Sequence, residues 1–254
     1  MDQRQPHPAG QYSGSDAWNT VRLHRGRDAR VVTPVSVRVA EVTAEDDHGE
    51  LDIPWHLAPQ TGSVALQLRT TIRRVGMGAG LARRAELVAA VAALPDSPGV
   101  LTSVSGGTFT LGGPGWLGLA GIGTLPPDAA MPLDWMVQAL LAWFTTAFSP
   151  LGIAPTVGRV DGAWCPGFSD IAVDGKKLIG LGFRMTRGLV AMRGMMAVTP
   201  ISAADHDLLA ATHALIGVTI RPECATSIAE ASGRPGLTVT SMIDHLSGFS
   251  VPPD

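Results

Sequence analysis

Apolar residues follow helical spacing in one long stretch of the chain. Between Pro132 and Phe148 they recur every three or four positions, which places them near one face of a helix. A second helix is predicted over 83–94. A third begins at Ser202, where Asp205 supplies an acidic first turn. Two shorter helices are predicted over 224–250, separated by a Gly-Arg-Pro-Gly segment.

The middle of the chain has the alternation that is typical of strands. Residues 168–173 and 177–184 predict a hairpin, because Asp174 and Gly175 form the Asp-Gly pair that two-residue turns prefer. A third strand is predicted over 188–198. Further strands are predicted over 31–42, 100–104 and 107–123, residues 64–74 are compatible with a strand or a helix start, and residues 75–80 predict a glycine-rich loop.

Strands dominate the middle and helices flank it, which predicts an α+β or mixed α/β fold. Residues 1–16 are rich in Gly, Pro, Ser and Gln and predict a disordered tail. We expect the main domain over 17–220 and a small C-terminal helical segment over 221–254.

Composition removes several classes of function. The 254 residues are 45% apolar and carry a net charge of −3 without a basic run, which argues against nucleic-acid binding. The longest apolar stretches, Leu87–Leu94 and Met136–Phe148, are too short to span a bilayer. Residues 1–16 lack the apolar core of a signal peptide, so we expect a cytoplasmic protein. The cysteine and histidine spacing predicts no metal site.

Cys165 lies in the most unusual segment of the chain. Pro166 and Gly167 follow it and predict a turn that presents a neighbouring side chain to a cleft. A thiol on such a turn, near a cation, is able to act as a nucleophile. The competing interpretation is a buried, inert thiol, which is the common state of a free cysteine. Cys224 has no nearby cation in sequence and keeps that interpretation.

Two adjacent lysines follow the predicted turn. Consecutive side chains on a strand point to opposite faces, so only one of them faces a cleft. Lys177 is the expected inward residue, because an apolar pair follows it, and Lys176 is then exposed. In a regular hairpin Lys177 pairs with Ala172, which leaves Cys165 roughly 23 Å further along an extended strand. The two side chains meet only if the segment between them folds back.

Glycines crowd the segment 105–121. They allow backbone N–H groups to approach a ligand closely, but the sequence lacks the pattern of a phosphate-binding loop. A twisted hairpin with a Gly-Pro-Gly turn explains the same composition.

These two clusters together resemble the lipoyl and octanoyl transferases of the biotin/lipoate protein ligase superfamily. Residues 105–110 are similar to the Ser-Gly-Gly segment that lines the acyl pocket in that family. Residues 175–180 (GKKLIG) are similar to its glycine-lysine motif, whose lysine contacts the acyl carbonyl and matches Lys177. The fold implied is an α+β domain with a large mixed sheet flanked by helices and a small C-terminal appendage.

Residues 157–167 (VGRVDGAWCPG) resemble one group of the superfamily more narrowly, the octanoyl transferases that work through a cysteine. The resemblance implies that Cys165 and Lys177 are catalytic. The substrate-binding residues that it implies are Ser105, Gly106, Gly107, Asp170, Gly175, Gly180 and Gly182. Backbone N–H groups near the first two glycines are the expected oxyanion donors.

In that group octanoate passes from the glycine cleavage H protein to a lipoyl-domain lysine through an enzyme thioester. The implied partners are therefore lipoyl-domain carriers, namely the H protein and the E2 subunits of 2-oxoacid dehydrogenases. No cofactor is expected for transfer, and the acyl group is octanoyl or lipoyl.

Two departures keep alternatives open. The family arginine before the Ser-Gly-Gly run is replaced by Thr102-Ser103-Val104, and the usual glutamine after the lysine motif is missing, which predicts a less polar pocket. One alternative is an ATP-dependent lipoate–protein ligase in which Cys165 is dispensable. Another is an acyl-binding homologue without turnover.

Overall fold

The computed structural model describes residues 35–40, 58–103, 106–186 and 188–249. The strands within these ranges are β1 (Val35–Ala40), β2 (Val64–Thr70), β3 (Arg74–Met77), β4 (Val100–Thr102), β5 (Phe109–Gly112), β6 (Trp116–Thr124), β7 (Thr156–Val157), β8 (Ile171–Val173), β9 (Lys176–Thr186) and β10 (Leu189–Ala197). The helices are α1 (Ala79–Ala82), α2 (Ala85–Ala92), α3 (Pro132–Phe148), α4 (Ala203–Ala214), α5 (Ile228–Ala231) and α6 (Val239–Ser247).

Two sheets form the frame of the molecule. The large sheet has seven strands in the order β1-β2-β6-β10-β9-β8-β7, in which only the β1–β2 pair is parallel. The small sheet has three strands in the order β4-β3-β5 and is also mixed. This arrangement confirms the predicted α+β fold with a large mixed sheet flanked by helices.

One face of the large sheet packs against α3. Leu66 and Leu68 of β2 and Leu119 of β6 are buried with Phe144 of α3 in a continuous apolar cluster. Alternate residues of a strand point to the same face, and α3 brings its apolar stripe to that face at helical spacing. The prediction of a helix over Pro132–Phe148 is therefore confirmed.

The hairpin predicted within residues 168–184 is also present in the structure. Asp174 and Gly175 have φ values of 49° and 74°, as a two-residue turn requires when both central residues are left-handed. Ala172 pairs with Lys177, which is the register expected from the sequence. Ser202 caps α4 by accepting the Asp205 N–H, as predicted.

Two local predictions were wrong. The strand predicted over 107–123 breaks at the Gly-Pro-Gly turn, where Gly113 and Gly115 have φ values of 137° and 89°. The two parts do not form the alternative hairpin, because β5 joins the small sheet and β6 the large one. The first residues of the loop predicted over 75–80 belong to strand β3. They are extended because they pair with β5, a contact that the glycine-rich local sequence does not indicate. Residues 64–74 hold strands rather than a helix.

The C-terminal helices share the main core. Met242 and Leu246 of α6 are fully buried in the same apolar cluster as α3 and the large sheet. The Trp143 indole N–H on α3 donates to the Phe249 carbonyl at 3.1 Å, just beyond α6. The domain boundary at residue 220 stays a prediction, and residues 1–16 lie outside the described residues. Among the residues described, no helix is both long and apolar enough to cross a membrane.

Leu246→Ala is expected to lower the free energy of unfolding by about 2–5 kcal/mol, because it opens a cavity in the shared core. Asp244→Ala on the exposed face of α6 is the matched control and is expected to change it by less than about 0.5 kcal/mol. Denaturant unfolding followed by circular dichroism measures both. Two separate transitions in the wild type, with only the first moved by Leu246→Ala, would contradict a shared core.

Candidate active site

The segment between β7 and β8 folds back on the hairpin. Cys165 has a φ of 41°, a left-handed conformation that is uncommon for a residue other than glycine. The Gly167 N–H donates to Asp170 Oδ2 at 2.8 Å and closes the turn that follows. The fold-back that the sequence required thus occurs, and it brings the Cys165 backbone to the side chain of Lys177.

Lys177 is fully buried and all three N–H bonds of its ammonium have acceptors. It donates to the Trp164 carbonyl at 2.8 Å and to the Cys165 carbonyl at 2.5 Å. Its third contact is the Asp170 carboxylate at 2.9 Å. Lys176 is exposed, so the expected inward and outward orientation of the two lysines is observed.

Asp170 and Lys177 form a buried ion pair, with side chains 1% and 0% exposed. Burial raises the pKa of the Asp170 carboxyl, and the Lys177 charge opposes that shift. Burial lowers the pKa of the Lys177 ammonium, and the charges of Asp170 and then Cys165 oppose it. Each charge is therefore maintained by the other, and removing one leaves its partner in an unfavourable environment.

The Cys165 sulfur faces the loop that leads into β5. The Thr108 N–H donates to Sγ at 3.1 Å. Gly107 has a φ of 112°, and a Cβ at that position would lie 3.0 Å from Sγ. The glycine therefore lets the loop approach the thiol closely enough for a backbone N–H to reach it.

His213 is a site residue that the sequence analysis missed. It is fully buried on α4, and its Nε2 accepts the Cys165 N–H at 3.0 Å. The Thr108 hydroxyl lies 3.2 Å from the same nitrogen. Burial lowers the pKa of the imidazole, while its hydrogen bond to the Leu209 carbonyl opposes that shift and Lys177 reinforces it. A lone histidine on an amphipathic helix gives no sequence signal for this role.

A pocket opens beside Cys165 between the two sheets. Of the predicted site residues, Cys165, Gly106, Gly107, Gly180 and Gly182 line it together. The segment 158–170 between β7 and β8 carries Cys165 and is called the thiol loop. Lys177 and Asp170 lie behind the thiol sulfur, and neither is among the described residues that line the pocket. Gly175 is exposed at the hairpin turn, and Ser105 lies outside the described residues.

The pocket also contains cationic side chains that the sequence analysis did not identify. Arg193 of β10 is only 7% exposed and lines the pocket with Arg69 of β2. Arg193 pairs in the sheet with Ala120 and Gly182, so the residues beside it in the pocket have little or no side chain. The expectation of a less polar pocket stays a prediction, and these arginines come from strands outside the compared motifs.

The curated relatives of the chain are octanoyltransferases. The octanoyl-GcvH:protein N-octanoyltransferase of Exiguobacterium sibiricum is 31% identical over 124 residues, which are 45% of this chain and 45% of that protein. The enzyme of the same name from Exiguobacterium sp. is 28% identical over 128 residues, 47% of this chain and 45% of that protein. The chain thus spans less than half the length of these relatives in the matches. No protein-family model matches it.

The fold is shared with a solved lipoate–protein ligase. The crystal structure of lipoate-protein ligase A bound with ATP has a TM-score of 0.52 and 12% identity, over 85% of this chain and 83% of that chain. Together with the curated relatives, this similarity confirms the resemblance to the biotin/lipoate protein ligase superfamily. At this identity the structural match shows the fold alone.

Asp170→Asn is expected to lower the free energy of unfolding by about 3–5 kcal/mol, because it leaves the Lys177 charge buried without its counter-ion. Lys177→Met is expected to lower the free energy of unfolding by a similar amount, because it leaves the Asp170 carboxylate buried without its counter-ion. The double variant is expected to be more stable than the sum of the two losses predicts, as measured by denaturant unfolding. Strictly additive losses would show that the two charges are not coupled.

Gly107→Ala is expected to slow alkylation of Cys165 by iodoacetamide about tenfold, since the added Cβ meets Sγ and displaces it from the Thr108 N–H. Gly106→Ala adds the same methyl group to the same loop, where a Cβ meets nothing within 4 Å, and Gly175→Ala controls for backbone strain, because Gly175 also has a positive φ and open space around it. Equal rates for the three variants would show that the close approach at Gly107 does not set the position of the thiol.

Proposed function

We propose that this chain is an acyltransferase that moves an octanoyl or lipoyl group onto a lipoyl-domain lysine through a thioester on Cys165. The observation that carries the proposal is the Cys165 Sγ at the wall of a pocket, with a backbone N–H directed at it. The names of the curated relatives support the same chemistry.

In the first step the Cys165 thiolate attacks the acyl carbonyl of the donor carrier. A carbon–sulfur bond forms and the bond between the acyl carbon and the donor lysine nitrogen breaks. The proton that the thiol gives up ends on the leaving amine. N–H groups of the loop 106–108 are suited to receive the oxyanion, because the nearest of them already contacts Sγ.

Lys177 acts in this scheme from behind the thiol loop. Direct contact with the acyl carbonyl, the role implied by the resemblance, requires it to release one of its three acceptors. We infer that Lys177 contributes by holding the backbone of Trp164 and Cys165 in place.

In the second step the ε-amine of an incoming carrier lysine attacks the thioester, and the thiol is released. The carriers that we propose are the glycine cleavage H protein as donor and the E2 lipoyl domains as acceptors, with the reaction taking place in the cytoplasm. The overall reaction breaks one lysine amide and forms another, so its free-energy change is close to zero. It therefore needs no ATP.

The acyl chain is proposed to lie in the pocket between the sheets. Aliphatic side chains such as Met77, Leu101 and Leu181 line it, and each buried CH₂ contributes about 0.8 kcal/mol to binding. Arg193 and Arg69 line the same pocket and carry N–H donors. An acyl group with hydrogen-bond acceptors is therefore the first alternative substrate to compare with octanoyl.

Incubation with an octanoylated H protein is expected to add one octanoyl group to the wild-type protein, as seen by intact-protein mass spectrometry. Cys165→Ser is expected to abolish the adduct, because the hydroxyl is a much weaker nucleophile at neutral pH. Cys224→Ser is the matched control and keeps the adduct. The adduct is released by hydroxylamine and forms without ATP.

Three outcomes separate the candidate functions. A hydroxylamine-sensitive adduct without ATP supports the transferase. Product that forms only with ATP and free octanoate, and survives Cys165→Ser, supports a ligase. Neither adduct nor product with any donor supports an acyl-binding homologue and overturns the proposal.

A further inference from the structure

The environment of His213 is unusual for a buried histidine, because both contacts of its Nε2 belong to the thiol site. The Cys165 N–H and the Thr108 hydroxyl reach that nitrogen at 3.0 and 3.2 Å. On the other side of the ring, Nδ1 lies 2.7 Å from the Leu209 carbonyl, one helical turn earlier on α4. Phe109 packs edge-on against the ring at 5.4 Å between centroids.

These contacts define the tautomer. A backbone carbonyl only accepts, so Nδ1 carries the hydrogen that is donated to Leu209. A backbone N–H only donates, so Nε2 presents its lone pair to Cys165. His213 is therefore a neutral imidazole in a fixed orientation.

We propose that His213 is a positioning residue for Cys165, which accepts the Cys165 N–H and so fixes the thiol-bearing residue in its left-handed conformation beside the acyl pocket. This inference rests on the proposed function, since the position of the thiol matters for acyl transfer. His213 is not the base that activates the thiol, because its Nε2 lone pair is directed to donors on the backbone and on Thr108.

The strained conformation explains why such a residue is needed. A φ of 41° disfavours any residue that has a Cβ, and it persists only where the surroundings impose it. Lys177 holds the carbonyl of Cys165, and His213 holds its N–H. With both ends of the residue fixed, its side chain is directed to the Thr108 N–H. Loss of the acceptor at Nε2 frees one end of the residue.

Protonation of His213 has the same effect as removing the acceptor. The charged groups that face it come from the thiol loop and from β9: Lys177, with Asp170 paired to it. Burial and the Lys177 charge place the pKa of the imidazole below its usual 6.5, so the ring is neutral at neutral pH. As the pH falls through that lowered pKa, Nε2 gains a proton and becomes a donor facing another donor.

The test measures alkylation of Cys165 by iodoacetamide in the full chain carrying Cys224→Ser, so that one thiol reacts. His213→Gln keeps an acceptor near the position of Nε2 but does not titrate, whereas His213→Leu keeps the volume and has no acceptor. His206→Gln on the same helix α4 is the control, since His206 is not among the site residues. Thermal unfolding of each variant establishes that it is folded.

His213→Leu is expected to slow alkylation about tenfold or more, while His213→Gln stays within about threefold of the wild type near neutral pH. The rate of the Gln variant relative to the wild type is expected to rise as the pH falls from neutrality through the lowered pKa of His213, because only the wild type loses its acceptor. kcat of octanoyl transfer is expected to follow alkylation, with KM for the carrier unchanged.

Two results would overturn the inference: a folded Leu variant that is alkylated at the wild-type rate, or a Gln-to-wild-type ratio that does not depend on pH. The second comparison remains decisive if the Leu variant does not fold. Alkylation does not involve an acyl donor, so failure of the proposed function, seen as no octanoyl adduct on the wild type, is distinguishable from failure of this inference.

Discussion

The buried ammonium of Lys177 is the constraint on which the site depends. A lysine charge with no solvent exposure is costly, and it is tolerated here because three acceptors receive its three N–H bonds. Two of these acceptors are carbonyls of the thiol loop, and the third is Asp170 at the end of that loop. Satisfying the charge therefore requires the segment between β7 and β8 to fold back over the hairpin, and this fold-back is what creates a site.

The same constraint places Cys165 in a conformation that it would not adopt alone. Its carbonyl is held by a side chain from the large sheet and its N–H by His213 from α4. Its sulfur receives the N–H of Thr108 at the start of the small-sheet strand β5. Three separate elements thus determine one residue, so the strain at φ 41° is offset by hydrogen bonds to all of its polar groups.

Each of the two sheets supplies one wall of the pocket. The large sheet buries one face against α3 and leaves the other face lined by small residues, among them Gly180 and Ala120, on which a narrow ligand is able to lie. The small sheet supplies the opposite wall through the loop at Gly106 and Gly107. This geometry is compatible with the proposed substrate, since a narrow acyl chain would enter between the sheets while a bulky carrier would remain outside.

The sequence by itself determined the local parts of this protein: the helix at Pro132–Phe148, the Asp-Gly hairpin with its register, and the inward orientation of Lys177. Each follows from a period or a turn preference that acts within a few residues. Only the tertiary structure decided that His213 and Thr108 meet Cys165, since these hydrogen bonds join residues 48 and 57 positions apart in the chain. Contacts at such separation depend on how the sheets and α4 pack, and no short pattern records that packing. The charge of Arg193 in the pocket escaped prediction for the same reason, because on its strand it is one polar residue among apolar neighbours.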